Sequence, residues 1–297
     1  MIDEKFDFTI DKAPLTVGQT ATWACLLEAA IPKPGNVHRG ADFEDLKFTD
    51  FLTAAVAIGP ALERAAAGAP LGQTVLDAVG ETRRLVATNA NLGIVLLLAP
   101  LASAAGFRDR PLRQATADVL AELTPDDAAL VYQAIRIAQP GGMGKSPEAD
   151  IHDAPPADLL HAMRLAADRD SVAKQYANGF TEVFHFVVPA IRSGLAEGLS
   201  LADAVIRCHL RTMQAIPDTL IARKCGLETA QLAADYAGQV LRAAADGNET
   251  YHEALADFDF WLRSDGHRRN PGTTADLIAA GLFVVLRDAT LPLPLTI

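Results

Sequence analysis

Leu92-Gly93-Ile94-Val95-Leu96-Leu97-Leu98-Ala99-Pro100-Leu101-Ala102-Ser103-Ala104-Ala105 is the longest apolar run of the chain and carries no charged residue. It is shorter than the roughly 20 residues that a membrane span requires, and Gly93 and Pro100 interrupt it. A helix that is hydrophobic on every side is buried on every side, so this stretch predicts a helix at the centre of a protein core. Everything around it is amphipathic at helical period, and the whole reads as an all-α protein.

Composition agrees with that reading. Half of the 297 residues are apolar, yet only 6% are aromatic, so Ala and Leu dominate, and these lead the helix scale rather than the strand scale. The periodicity predicts helices at Val17–Ala30, Asp50–Ala67, Gly72–Thr88, Leu92–Ala105, Pro111–Leu123, Pro125–Ala138, Ala157–Ala167, Ser171–Arg192, Leu201–Ala215, Glu228–Ala245, Thr250–Leu262 and Thr274–Arg287. Thr124-Pro125-Asp126-Asp127 is a clear start signal: a capping hydroxyl, a first-turn proline and two carboxylates suited to the helix dipole. Residues 1–297 are expected to form a single helical domain, with 1–15 as an N-terminal extension and 139–156 as a long loop, because pattern and composition are alike on both sides of that loop.

A net charge of −11 argues against nucleic acid as a partner. The acidic N-terminus lacks the apolar stretch of a secretion signal, and no membrane segment is expected. Cys25, Cys208 and Cys225 are an odd, widely spaced set without a CxxC pair, which fits a reducing cytoplasm. No HExxH motif is present, so a zinc hydrolase is disfavoured.

Polar segments punctuate the helices. Pro32-Lys33-Pro34-Gly35-Asn36-Val37-His38-Arg39-Gly40-Ala41-Asp42-Phe43-Glu44-Asp45 is stiffened by its prolines, and its glycines allow close backbone approach to a ligand. Lys33, His38 and Arg39 offer donors, while Asp42, Glu44 and Asp45 offer the hard oxygens that magnesium accepts. The plainer alternative is a solvated helix stop, in which Lys33 caps the last carbonyls of the helix bearing Glu28.

Three further segments share this double character. Thr88-Asn89-Ala90-Asn91-Leu92-Gly93 places amides at the mouth of the apolar helix, or simply caps it. In Pro217-Asp218-Thr219-Leu220-Ile221-Ala222-Arg223-Lys224-Cys225-Gly226, the Arg-Lys pair suits an anion, or merely complements a helix C-terminus. Asn270-Pro271-Gly272-Thr273-Thr274-Ala275-Asp276-Leu277 is a glycine-threonine turn opening a helix, where free amides form an anion site. It does not match the Walker pattern GxxxxGK[ST]. A weaker segment, Arg169-Asp170-Ser171, caps the helix that follows it.

Taken in order, these segments resemble the triphosphoribosyl-dephospho-CoA synthase family over residues 28–287. The most specific pieces are Glu28 with Pro32-Lys33-Pro34-Gly35, and Pro271-Gly272-Thr273-Thr274-Ala275-Asp276-Leu277. The resemblance implies an all-helical fold and a reaction in which adenine leaves the ribose of ATP and a hydroxyl of dephospho-CoA takes its place. On that basis Glu28, Lys33 and Asp45 are the catalytic candidates. Arg39, Asn89, Asn91, Arg223, Lys224, Asn270, Gly272, Thr273 and Thr274 are candidates for nucleotide and phosphate binding, and Asp42, Asp218 and Asp276 for Mg2+.

The chain also departs from the family. Where the family has Asn-Thr-His-Lys-Gly, it reads Asn89-Ala90-Asn91-Leu92-Gly93, losing a His-Lys pair. Its Val37-His38-Arg39, Gly40-Ala41-Asp42 and Arg223-Lys224-Cys225-Gly226 differ from Val-Asp-Arg, Gly-Ala-His and Arg-Gly-Gly. Two alternatives therefore stand beside the main reading: a related step with a pterin intermediate in tetrahydromethanopterin-linked C1 cofactor biosynthesis, and a nucleotide-binding protein without turnover. The expected partners are small nucleotides, with a homodimer as the candidate assembly.

Overall fold

Thr16 opens the first helix with a reciprocal capping box: its hydroxyl accepts from the Gln19 amide, and the Gln19 side chain accepts from Thr16. The same device starts the helix at Pro125, where Thr124 and Asp127 cap each other. Asp127 does more than match the dipole, because its Oδ1 also accepts from the Gly72 amide at 2.7 Å and ties two helices together. Asp158, Asp170, Ser200 and Asp218 cap four more helices through their side chains.

The computed structural model describes residues 15–141 and 148–288. Among these, the helices are α1 (Val17–Ala30), α2 (Phe48–Ala66), α3 (Leu71–Leu85), α4 (Leu92–Ala105), α5 (Leu112–Ala121), α6 (Pro125–Ala138), α7 (Leu159–Ala166), α8 (Ser171–Asn178), α9 (Val188–Ala196), α10 (Leu201–Ala215), α11 (Thr219–Cys225), α12 (Leu227–Ala243), α13 (Asn248–Arg263) and α14 (Gly272–Arg287). A four-residue extended segment, Ser264–His267, joins the last two.

As the apolar pattern requires, α4 lies at the centre, with all its residues buried except Gly93 and Ser103. It packs against α1, α2, α3, α5, α8 and α14. The surprise is α14, which is almost as deeply buried and forms a second central helix beside α4. Its sequence reads as ordinary, because Thr273, Thr274 and Asp276 mask at the start a run that is otherwise apolar up to Arg287. One hydrophobic core takes residues from Ala21 to Val285, so both ends of the chain share it.

The predicted continuous helix Ser171–Arg192 is broken. Gly179 and Phe180 take left-handed backbone angles (φ 69° and 60°), and Asn178 restarts the chain by accepting from the Thr181 amide. A π-helical turn, Val183–Val187, then precedes α9. Pro189 lacks the amide that would bond back to residue 185, so the ladder widens there. The Asp218 segment, not among the predicted helices, forms the short α11.

The loop after α6 folds back on that helix. The Tyr132 hydroxyl donates to the Ala149 carbonyl at 2.8 Å, and Arg136 donates to the carbonyls of Ile151 and Asp153 at 2.6 and 2.5 Å. Most of the predicted N-terminal extension and residues 142–147 lie outside the described residues. Among the described residues, no helix is long and apolar enough to cross a membrane.

Candidate functional site

The end of α1, the starts of α4, α8 and α14, and the end of α11 converge on one cavity of about 570 Å3. α6, α7 and the segment between them contribute an apolar wall of Ile135, Ala138, Ile151, Leu159 and Met163, and much of the remaining lining is polar. That division suits a ligand with a flat or aliphatic part and a charged part.

At the polar end, α1 presents Glu28 and α14 presents Asp276. Glu28 is 4% exposed and forms an ion pair with Lys33, its Oε1 lying 2.9 Å from the Lys33 Nζ. Lys33 itself is fully buried. Its ammonium also donates to the carbonyls of Glu28 and Ile31, so it satisfies the end of α1 while neutralising the Glu28 carboxylate. It does not line the cavity, and of the two readings of this loop the geometry is that of the helix cap.

Asp276 is placed by a glycine. A Cβ on Gly93 would stand 2.0 Å from Asp276 Oδ2, so the carboxyl occupies space that any side chain at position 93 would fill. No described group donates a hydrogen bond to it. Burial first, then the nearby carboxylates of Glu28, Asp170 and Asp218, hold its carboxyl well above the usual range, against the weaker pull of Arg223. The Cys25 thiol below is likewise pushed up by burial, Glu28 and Asp276, which argues against a thiolate nucleophile.

The basic rim comes from the last turn of α11. Arg223 lines the cavity and pairs with Asp170, Nη1 to Oδ2, at 2.6 Å, while Asp170 Oδ1 caps α8. The Arg223 Nε is buried without a hydrogen-bond partner. Lys224 also faces the cavity, and burial favours its neutral form, lowering its pKa. Gly272 and Thr273, in the first turn of α14, complete this side.

Ten of the residues singled out in the sequence line this one cavity: Glu28, Asp45, Asn89, Asn91, Arg223, Lys224, Asn270, Gly272, Thr273 and Asp276. Several also have structural partners. Asn89 Oδ1 accepts from the Leu92 amide at 3.1 Å and so caps α4, while the Asn91 amide reaches Thr82 at 3.2 Å. Asn270 Oδ1 accepts from Asn36 at 2.7 Å, joining the first polar segment to the last, and Asp45 meets His267 at 2.7 Å.

Five of the candidates for catalytic, phosphate or metal roles do not line it. Besides Lys33, Arg39 is exposed on the turn closed by His38 and Ala41. Asp42 is exposed and accepts from the Phe48 amide at the start of α2. Asp218 is committed to structure: one oxygen caps α11, and the other accepts from the amide and hydroxyl of Thr274 at 2.7 and 2.8 Å, which removes both residues from the cavity. Gly35 serves packing rather than ligand approach, since a Cβ there would collide with Leu262 and Pro271.

A resident magnesium site does not assemble from the three aspartates proposed for it. Only Asp276 faces the cavity, and among the described residues no group of three His, Cys, Asp or Glu side chains could hold a metal ion.

Sequence reasoning missed Asp170 as the partner of Arg223, and missed Asn36, His267 and the apolar wall. The capping signal at Asp170 was legible, but its pairing across 53 residues was not, because nothing local encodes a tertiary ion pair.

A sequence model of the family described as ATP:dephospho-CoA triphosphoribosyl transferase matches residues 14–293. A protein of Azotobacter vinelandii (strain DJ) assigned to the 2-(5''-triphosphoribosyl)-3'-dephosphocoenzyme-A synthases is 25% identical over 291 residues, covering 93% of this chain and 92% of that protein. A Pseudomonas syringae pv. tomato protein with the same assignment is 30% identical over 111 residues, 37% of this chain and 38% of its own length. The crystal structure of an Archaeoglobus fulgidus protein assigned to the triphosphoribosyl-dephospho-CoA synthases superposes with a TM-score of 0.60 at 24% identity, over 80% of this chain and 98% of that one. At that identity the likeness speaks for the fold.

Proposed function

The chain belongs to the ATP:dephospho-CoA triphosphoribosyl transferase family, and we propose that its cavity binds ATP as the magnesium complex and passes the triphosphoribosyl group to a hydroxyl of dephospho-CoA. The observation that carries this reading is the cavity itself, lined by an ion-paired Glu28, by Arg223 and Lys224, and by an apolar wall from α6 and α7.

The triphosphate sits against Arg223, Lys224 and the first turn of α14, where positive charge and the helix dipole favour an anion. The ribose then reaches the polar end, and the apolar wall receives the flat or aliphatic parts of the two substrates. Glu28 accepts the proton of the attacking hydroxyl as its oxygen bonds to the anomeric carbon and the bond to the adenine nitrogen breaks. Lys33 holds that carboxylate in place from behind. Magnesium enters with ATP as part of the substrate, and a cytoplasmic location goes with this reading.

Incubation with ATP, dephospho-CoA and Mg2+ should release free adenine and yield an adduct heavier than dephospho-CoA by the triphosphoribosyl group, both read by mass spectrometry. Glu28→Gln should lower kcat by about 10²–10⁴-fold with little change in ATP affinity. Failure of the wild-type protein to release adenine with dephospho-CoA would sink the proposal.

A further inference from the structure

We infer that Asp276 is the general acid of the transfer, delivering a proton to the purine ring as the base leaves. This rests on the proposed reaction and adds to it the second half of the proton traffic.

Two carboxyl groups share the polar end of the cavity, and their surroundings differ. Glu28 has the buried ammonium of Lys33 at 2.9 Å and two carbonyls behind that ammonium. Among the described residues Asp276 has no ion-pair partner and accepts no hydrogen bond. The charged groups that act on it from neighbouring elements are Glu28 from α1, Asp170 from the start of α8, and Asp218 and Arg223 from the α11 segment. Arg223, the single cation among them, is held by Asp170 at 2.6 Å. Glu28 has Lys33 and Asp170 has Arg223, whereas Asp276 has no cation of its own among the described residues, so Asp276 is the carboxyl placed to deliver a proton and Glu28 the one placed to accept it, which separates acid from base as two-carboxylate sugar chemistry requires. Gly93 lets the carboxyl press against the backbone of α4 and still line the cavity.

The balance is complete without a co-reactant. The acceptor O–H gives its proton to Glu28, its oxygen bonds to the anomeric carbon, and the carbon–nitrogen bond breaks with its electron pair going to the purine. Asp276 transfers its proton to a purine ring nitrogen, so adenine leaves neutral. The proton on Glu28 then returns to Asp276 after the products depart.

The test compares ATP with an N7-methylated purine ribonucleoside triphosphate, whose ring already carries the positive charge that protonation would supply. In Asp276→Asn, kcat with ATP should fall by about 10²–10⁴-fold, with the dissociation constant for ATP within a few-fold of wild type by calorimetry. With the methylated nucleotide the variant should come within about tenfold of wild type. In wild type, kcat with ATP should decline at alkaline pH as Asp276 loses its proton. Equal losses on both nucleotides would overturn the inference, assigning Asp276 to positioning or metal binding, as would undiminished turnover of ATP or the lack of an alkaline decline. Adenine release by the wild type with dephospho-CoA is scored separately, so failure of the parent reaction is distinguishable from failure of this assignment.

Discussion

Replacing Lys33 by methionine keeps most of the side chain's volume and removes only its charge and donors. In the folded protein that ammonium is fully buried, 2.9 Å from Glu28 Oε1 and 3.3 Å from the Ile31 carbonyl, with a further bond to the Glu28 carbonyl. Its loss strands a buried carboxylate and leaves the end of α1 without its cap. Removing one partner of a buried ion pair costs about 3–5 kcal/mol, a large part of the roughly 5–15 kcal/mol that holds a domain folded. With a urea m-value of about 3 kcal/mol/M, the unfolding midpoint should fall by roughly 1–2 M. Adding Glu28→Gln to Lys33→Met should recover part of the loss, because a neutral amide does not need the cation. Equilibrium unfolding of the wild type, both single variants and the double variant measures this directly. A loss below about 1 kcal/mol would refute the structural role. So would a variant of normal stability that binds ATP far more weakly while binding adenosine normally, since Lys33 would then be reading phosphate.

Gly93→Ala puts a methyl group 2.0 Å from Asp276 Oδ2; the overpacking should cost about 1–3 kcal/mol in thermal or urea unfolding, and Gly93→Ala combined with Asp276→Ser should recover much of it. His209 is fully buried in α10 with neither ring nitrogen hydrogen-bonded, and burial, aided by the Lys33 charge and only weakly opposed by the Pro34 carbonyl, lowers its pKa to about 3. The unfolded chain takes up that proton below about pH 6.5, so stability should be constant above that value and drop on acidification, by about 2 kcal/mol between pH 7 and pH 5. His209→Leu should flatten that part of the pH profile. Asp276 has the opposite sign: its raised pKa means that the native state favours the proton, so its contribution is greatest at low pH and fades as pH rises above the ordinary aspartate range. Asp276→Asn should therefore melt at a higher temperature than wild type near neutral pH, with the gap narrowing in acid.

How much of this was legible follows from the range of the forces involved. The periods that bury α4, the Thr124 and Asp170 caps, and the stops at prolines and glycines act within a few residues, and the sequence displays them directly. Ordered polar segments resembling a known family supplied fifteen candidate residues, of which ten line the cavity. What the sequence by itself determined was thus an all-helical protein with a buried central helix and a set of polar turns. Only tertiary packing decided what each turn does. Lys33 and Asp218 are charged residues in promising motifs, yet one closes under α1 and the other bridges α11 to α14, because a buried helix end must satisfy its backbone groups before any side chain is free for a ligand. Asp276, inside an apolar helix, reaches the cavity because Gly93 on a helix 183 positions away leaves it room. Such contacts depend on which surfaces the core brings face to face, and no local pattern carries that information.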